Sequence, residues 1–263
     1  MVRQSSQLSL ISNDNAPTRL KMVILDSAYG ARNHPRTAQF FWEMVRLKME
    51  GYRTTYRDGI LAVGDSDFIA IHKLICEERN GQLIPLLGNQ TVTVDRAAYH
   101  NIAFPALALA EASGSKAHVE YVRTTMERCK REGRILAYDG GFTINPEARL
   151  DHAKSKQLHE LFAAMKTHFL LQYGIHESFT ASTVRFKVEK TCHFWGYKAV
   201  EMDGNRLQDI PVPRFDREMV TLMHMKQLDP KTIELANQYR TMWNERIIVE
   251  GRETAEQQQK KAA

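Results

Sequence analysis

No stretch of this chain approaches the roughly 18–20 apolar residues that a membrane-spanning helix requires. The longest candidate is the short segment Phe104-Pro-Ala-Leu-Ala-Leu-Ala110, so a membrane-embedded protein is not expected. The first fifteen residues, MVRQSSQLSLISNDN, hold no apolar run of signal-peptide length, which argues against secretion. Cysteine is scarce. Cys76, Cys129 and Cys192 are odd in number and lack CxxC spacing, so neither a disulfide framework nor a structural zinc site is expected, and a reducing cytoplasm is. The histidines fall at irregular spacing and compose no metal set. GxxxxGKS/T, GxSxG, HExxH and GxGxxG are all missing, which removes most readily recognised enzyme classes. What is present is ordinary for a folded globular chain: 263 residues, 43% hydrophobic and 25% charged, with a net charge of +5. That mild excess suits a polyanionic partner, whether nucleic acid, a phosphate-bearing cofactor or an acidic carrier protein, and does not choose among them.

Residues 1–17 and 251–263 are polar and poor in aromatics and read as flexible tails around one domain spanning 18–250. Within it, 19–26 (RLKMVILD) reads as a strand. Residues 35–51 read as a helix with Phe40, Phe41, Met44, Val45 and Leu47 on its apolar face. The runs 67–78 and 82–94 flank Arg79-Asn80-Gly81, a strong hairpin signal. A helix over 116–131 precedes a strand over 134–145 whose Gly140-Gly141 marks a bulge or close backbone approach. Over 151–173, Leu158, Leu161, Phe162, Met165, Phe169 and Gln172 recur at three- and four-residue spacing, with Lys154, Lys156, His159, Lys166 and His168 on other faces; Gly174 closes this helix. Then come a strand (175–181), a short helix (183–195), a strand (197–202) and two helices (216–227 and 230–247). This mixture of a hairpin with strand–helix–strand units points to a three-layer α/β architecture.

One constellation spans about seventy residues, from Ile135 to Met202. The strand and turn Phe142-Thr-Ile-Asn-Pro-Glu-Ala-Arg149 lead into the long helix, and Phe194-Trp195-Gly196-Tyr197-Lys198-Ala199-Val200 follows the short one. In order and lengths this resembles the acyl-CoA-binding half of the GNAT acyltransferase superfamily. Upstream, Trp42, then Asp65-Ser-Asp-Phe-Ile-Ala-Ile-His72, then a hairpin with Gly81 and Gln82, is similar to the acyl-homoserine-lactone synthases and N-acyl amino acid synthases. The resemblance implies an α/β/α fold with a central mixed sheet and a V-shaped splay between two strands, the 135–145 strand parting from the 175–181 strand. It also implies transfer of an acyl group from acyl-CoA or an acyl carrier protein to the amine of a small molecule such as an amino acid, with no metal.

The resemblance assigns Phe142, Thr143 and Ile144 to the pantetheine arm, and Arg149, His152, Ala153, Lys154 and Ser155 to the phosphates at a helix N-terminus. A backbone N–H near Phe142 or Thr143 is the implied oxyanion donor. The position of the usual acid falls on Cys192, with the titratable His193 beside it. For the base, Glu77 and Glu78 end a strand next to the expected cleft, and at most one of two successive strand residues can face it. Asp65 and Asp67 fit either amine binding or loop capping; Phe40, Phe41, Phe104 and Leu107 fit either an acyl tunnel or core. The family's phosphate turn carries glycines, whereas Arg149-Leu-Asp-His-Ala-Lys-Ser155 has none. Two alternatives follow. One is a non-catalytic scaffold that has lost the turn. The other is action on nucleic acid, motivated by Arg123, Arg128, Lys130, Arg131 and Arg134 and by Tyr121 and Trp243 as exposed aromatics.

Overall fold

The computed structural model describes residues 19–26, 33–56, 63–215 and 217–249; the sequence-derived tails lie outside them. The chain begins with β1 (Arg19–Asp26), α1 (Pro35–Arg53), α2 (Asp65–Ile69) and the hairpin β2 (Ile71–Arg79) and β3 (Gln82–Thr93). Asn80 and Gly81 turn the hairpin at φ +50° and +76°, the left-handed pair that a two-residue turn between twisted strands requires. Three helices follow, α3 (Val94–Tyr99), α4 (Pro105–Ser113) and α5 (Lys116–Arg131), then β4 (Ile135–Ile144), α6 (Pro146–Leu150), α7 (His152–Gln172) and β5 (Ile175–Thr183). The remainder is α8 (Val188–Phe194), the short strands β6 (Lys198–Ala199), β7 (Glu201–Met202), β8 (Asn205–Arg206) and β9 (Ile210–Val212), then β10 (Glu218–Met225), α9 (Pro230–Gln238), α10 (Arg240–Asn244) and β11 (Ile247–Val249).

The main sheet runs β11-β1-β2-β3-β4-β5-β10-β6, with β9 also on β10, and it is mixed: β1/β11 and β4/β5 are parallel, the other pairs antiparallel. Alternation along the strands assigns the layers. Val23, Leu25 and Leu74 face α1, while Val92, Leu136 and Phe179 face α2–α5. Met22, Ile24, Ile75 and Ala137 face α7 and its neighbours. β4 and β5 pair only from Ile135↔Ile175 to Asp139↔Thr180; beyond that β4 stays with β3 and β5 continues along β10. The result is a three-layer α/β/α sandwich with a V-shaped splay between β4 and β5.

Four sequence expectations are corrected. The 216–227 segment is not a helix; 218–225 is β10, paired on both edges and buried from Val220 to Met225, so burial overrides the helical preference of its methionines and leucine. The expected strand from Asp67 begins at Ile71, because Asp67 lies in α2 and caps its N-terminus by accepting a hydrogen bond from Gly64 N at 2.8 Å. The 183–195 helix begins at Val188, after Lys187 at φ +53°. The 230–247 helix breaks into α9 and α10 and ends in β11, whose Ile247 pairs with Val23.

A fifth correction concerns Lys166, which is 2% exposed rather than on a solvent face. Its Nζ donates to Tyr197 Oη at 2.7 Å and lies 2.9 Å from Asp139 Oδ2. Asp139 also receives Lys73 Nζ at 2.9 Å, Tyr197 Oη at 2.6 Å, Ser178 Oγ at 3.0 Å and the Thr91 hydroxyl. Burial alone would raise the Asp139 pKa, but Lys166 and Lys73 outweigh it and hold the carboxyl well below the usual range. Burial lowers Lys73 to about 8, and burial with the Asp139 charge raises Tyr197 far above its ordinary value, so its hydroxyl remains a donor.

Removing this carboxylate leaves two buried lysines without a counter-charge. Asp139→Asn is expected to cost about 3–5 kcal/mol in urea unfolding at neutral pH, the range for a broken buried pair. Because the folded pKa lies below the unfolded value near 4, the stabilisation is present above that value and drains as pH falls through the acid range. Wild-type stability should therefore drop more steeply below about pH 4 than that of the variant; parallel acid profiles would contradict the assignment.

Candidate functional site

Where β5 leaves β4, a cavity of about 940 Å³ passes through the opening. Its β4 wall is Tyr138 and Gly140–Ile144. The chain bulges here: register against β3 shifts between Gly88 and Gln90, Gly141 sits at φ +62°, and Asn89 Nδ2 donates to the Gly140 carbonyl at 2.8 Å. Glycine suits both positions, and Gly141 lies in the left-handed region that favours it. A Cβ at Gly140 would stand 2.6 Å from the Tyr138 ring, and one at Gly141 2.7 Å from Lys48 Nζ. The Gly-Gly signal in the sequence therefore corresponds to a real bulge at the mouth of the V.

The two ends of the cavity differ chemically. One is polar: Lys48 from α1, Asp65, Ser66 and Asp67 from α2, and Gln90 from β3. Lys48 Nζ pairs with Asp67 and donates to Gln90 Oε1 at 2.9 Å. His72 Nε2 lies 2.6 Å from the Asp67 carbonyl and carries the proton there; burial, with Lys48 adding to it, lowers its pKa to about 4, so the ring is neutral at physiological pH. The other end is apolar, with Ile102, Pro105, Ala108 and Leu109 facing Ala181, Val212 and Val220. At the rim, Tyr56 stacks on Phe215 at 5.5 Å.

On the α7 side the wall includes Phe142, Arg149, Ser155 and His159. The His159 ring lies 5.7 Å from that of Phe142, and its Nδ1 faces the Ser155 carbonyl at 2.8 Å. Arg149 donates to the Ile144 carbonyl at 3.3 Å. Asp151 caps α7, accepting from Lys154 N at 3.0 Å. The positive end of the helix thus already holds a carboxylate of its own chain.

Of the residues singled out from the sequence, Phe142, Thr143, Ile144, Arg149 and Ser155 meet on the cavity wall, as do Asp65 and Asp67. His152 and Ala153 are exposed beside it, and Lys154 reaches away to Glu77 Oε1 at 2.8 Å. Glu77 is further paired with Arg79. Burial works to raise its pKa, and the Lys154 hydrogen bond with the Arg79 charge brings it below the usual value. Glu78 is exposed at the strand end. Cys192 is buried under α8, its pKa raised to about 12 by burial, while the wall from that helix is Val188 and Thr191. His193 bridges the Tyr197 carbonyl (2.8 Å) and Glu189 (3.2 Å) on the outer side. Phe40, Phe41 and Phe104 belong to the core.

Of the basic cluster, Lys130 and Arg131 are exposed, while the other three arginines are held in ion pairs. Arg123 is held by Glu111, and Arg128 and Arg134 by the buried Glu177, whose pKa burial would raise but His224 and Arg128 lower. Trp243 is 4% exposed, and Tyr121 hydrogen-bonds His224 Nδ1 at 3.0 Å, so neither is a free stacking platform. The sequence reading missed Lys48, Gln90 and His159. The one available signal was a lysine at Lys48, in step with Phe41 and Met44 on the buried face of α1.

The chain's course is similar to that of several solved structures. One is a CoA-dependent acyl-homoserine lactone synthase, BjaI, with SAM and isopentyl-CoA: 10% identity, 93% of this chain and 100% of that one, TM-score 0.48. Another is FeeM, an N-acyl amino acid synthase from uncultured soil microbes: 10% identity, 86% and 95% coverage, TM-score 0.48. A third is the AHL synthase LasI: 16% identity, 89% and 98% coverage, TM-score 0.47. No protein-family model and no curated protein matches the chain.

Proposed function

We propose that the protein transfers an acyl group from a pantetheine thioester, acyl-CoA or acyl carrier protein, to the amine of a small molecule such as an amino acid. The observation that carries this reading is the β4 edge from Gly140 to Ile144, which loses β5 as a partner and runs along the wall of a cavity. A strand edge left open inside a protein offers N–H and C=O groups in alternation, and the amides of a pantetheine arm complete it as an added strand. The apolar chamber around Ala108 and Val220 suits an acyl chain, and Asp65 at the polar end suits the ammonium of the acceptor.

In this reading Asp65 takes a proton from the bound ammonium and the freed amine adds to the thioester carbonyl carbon. The oxygen gains negative charge beside the β4 bulge, and the tetrahedral intermediate then collapses with cleavage of the C–S bond. The extra proton on the nitrogen passes to the departing thiolate, giving neutral amide and thiol. Because the Asp151 carboxylate already caps α7 through the Lys154 amide, the donor's phosphate would draw on the side chains of Arg149, Ser155 and His159.

The direct test incubates the protein with straight-chain acyl-CoA thioesters, from butyryl to palmitoyl, and free amino acids, following thiol release and N-acyl products by mass spectrometry. Thiol release that needs both substrates supports the reading; absence of thioester binding sinks it. Arg149→Ala should weaken CoA binding by about 1.5–3 kcal/mol, ten- to a hundredfold, with little change in melting temperature. Ala108→Phe fills the apolar chamber and should cut turnover of long acyl chains while sparing short ones; an unchanged chain-length profile would place the acyl group elsewhere.

A further inference from the structure

The apolar chamber does not end inside the protein. The lining that holds Val212 and Val220 in the interior also includes Phe186, which is 48% exposed, so the chamber opens to solvent there. Beside that opening stand two more apolar side chains, Val184 and Met219, each 41% exposed; Val184 N donates to the Met219 carbonyl at 3.0 Å. Cations are interleaved with them. Arg185 lies 4.5 Å from the Phe186 ring and 5.5 Å from the Tyr56 ring, and it takes up the one acid of the rim, Glu218, at 2.9 Å. Lys187 and Arg217 are exposed and have no carboxylate partner among the described residues. The segment Val184-Arg185-Phe186-Lys187 thus alternates apolar and cationic side chains, all four exposed, and Arg217 and Met219 add a second such pair next to it. An exposed apolar patch on a folded chain marks a surface that meets another molecule or a membrane. Charge alone would suit an acidic protein equally well. What this collar adds is large apolar side chains around the mouth of an apolar passage, which gives an acyl chain a continuous path from the chamber to hydrocarbon.

We infer that this collar docks the protein on an anionic lipid bilayer, with the chamber mouth facing the headgroups, so that a long acyl chain passes between membrane and chamber without crossing water. The passage of the chain rests on the acyl-transfer reading; the docking does not. Val184, Phe186 and Met219 enter the headgroup boundary, while Lys187, Arg217 and Arg185 meet lipid phosphates. Each methylene that must leave the chamber for water makes release about fourfold less favourable. A palmitoyl amide therefore needs a hydrocarbon sink at the mouth, and a butyryl amide does not.

The docking is tested without any thioester, by co-sedimentation of the full chain with vesicles of phosphatidylglycerol and phosphatidylcholine in equal parts and with vesicles of phosphatidylcholine alone. Binding to the anionic vesicles should weaken as salt rises, and binding to phosphatidylcholine should be slight. Lys187→Asn combined with Arg217→Asn suits the backbone, because the two positions sit at φ +53° and +58°, where asparagine is at ease. It should weaken vesicle binding about fivefold for each charge removed. Its melting temperature and its thiol release from butyryl-CoA without vesicles should match the wild type. Phe186→Ser combined with Met219→Ser should weaken binding about tenfold while leaving the charge, and hence the salt dependence, in place. Passage of the chain is read from palmitoyl-CoA turnover, which anionic vesicles should raise more in the wild type than in the asparagine variant; an equal response overturns it. No binding to anionic vesicles, or binding that both variants retain in full, overturns the docking. Capture of a holo acyl carrier protein that the asparagine variant loses, with no vesicle binding, overturns it too and gives the collar to a protein. A wild type that binds vesicles through the collar but turns over no thioester upholds the docking and defeats the acyl-transfer reading.

Discussion

Asp139 is the point on which the rest of the architecture turns. It stands in the last paired position between β4 and β5, opposite Thr180, at the base of the V. Lys73 from β2, Thr91 from β3, Ser178 from β5, Lys166 from α7 and Tyr197 after α8 all reach its two oxygens. A carboxylate in the interior is tolerated only when such donors replace the water it has lost. Each donor arrives on a different element, so satisfying the charge also fixes where those elements cross. Below Asp139 the two strands are held together; one residue above it the bulge begins and they are free to part.

The opening would be a defect without the groups that line it. An unpartnered strand edge in a dry interior leaves the N–H and C=O of every second residue without a partner. Here it faces a passage with charged and amide side chains at one end and alanine, valine and leucine at the other. Gly140 and Gly141 are the pivot of the arrangement: one accommodates the Tyr138 ring, the other the Lys48 ammonium. A side chain at either position would require the Tyr138 ring or the Lys48 side chain to shift.

Much of this framework is written locally. The Asn80-Gly81 turn, the α7 periodicity, the glycine after it and the Gly-Gly interruption each act through neighbours in the chain, and each is found where local chemistry puts it. β10 is different: Met219 to Met225 reads as a helix until β5 on one edge and β9 with β6 on the other make it an interior strand. Lys166 reads as a surface residue for the same reason, since its counter-charge is twenty-seven positions earlier on another element. The site residues divide along the same line. Phe142, Thr143, Ile144, Arg149 and Ser155, which the family resemblance marks, lie on a contiguous strand and turn, whereas the Lys48–Asp67–Gln90 contact joins three elements and leaves only the place of Lys48 on the buried face of α1 as a local sign.

The burial of all three cysteines has a kinetic meaning. A protein that handles thioesters risks trans-thioesterification, in which one of its own thiols takes the acyl group before the acceptor does. With the Cys192 pKa raised to about 12, its thiolate fraction at neutral pH is on the order of 10⁻⁵, and the thiol has no place on the cavity wall. On the proposed reading, an acyl group delivered along β4 would meet none of these three thiols on the cavity wall. On the acyl-transfer reading proposed above, this favours direct transfer within a ternary complex over an acyl-cysteine intermediate.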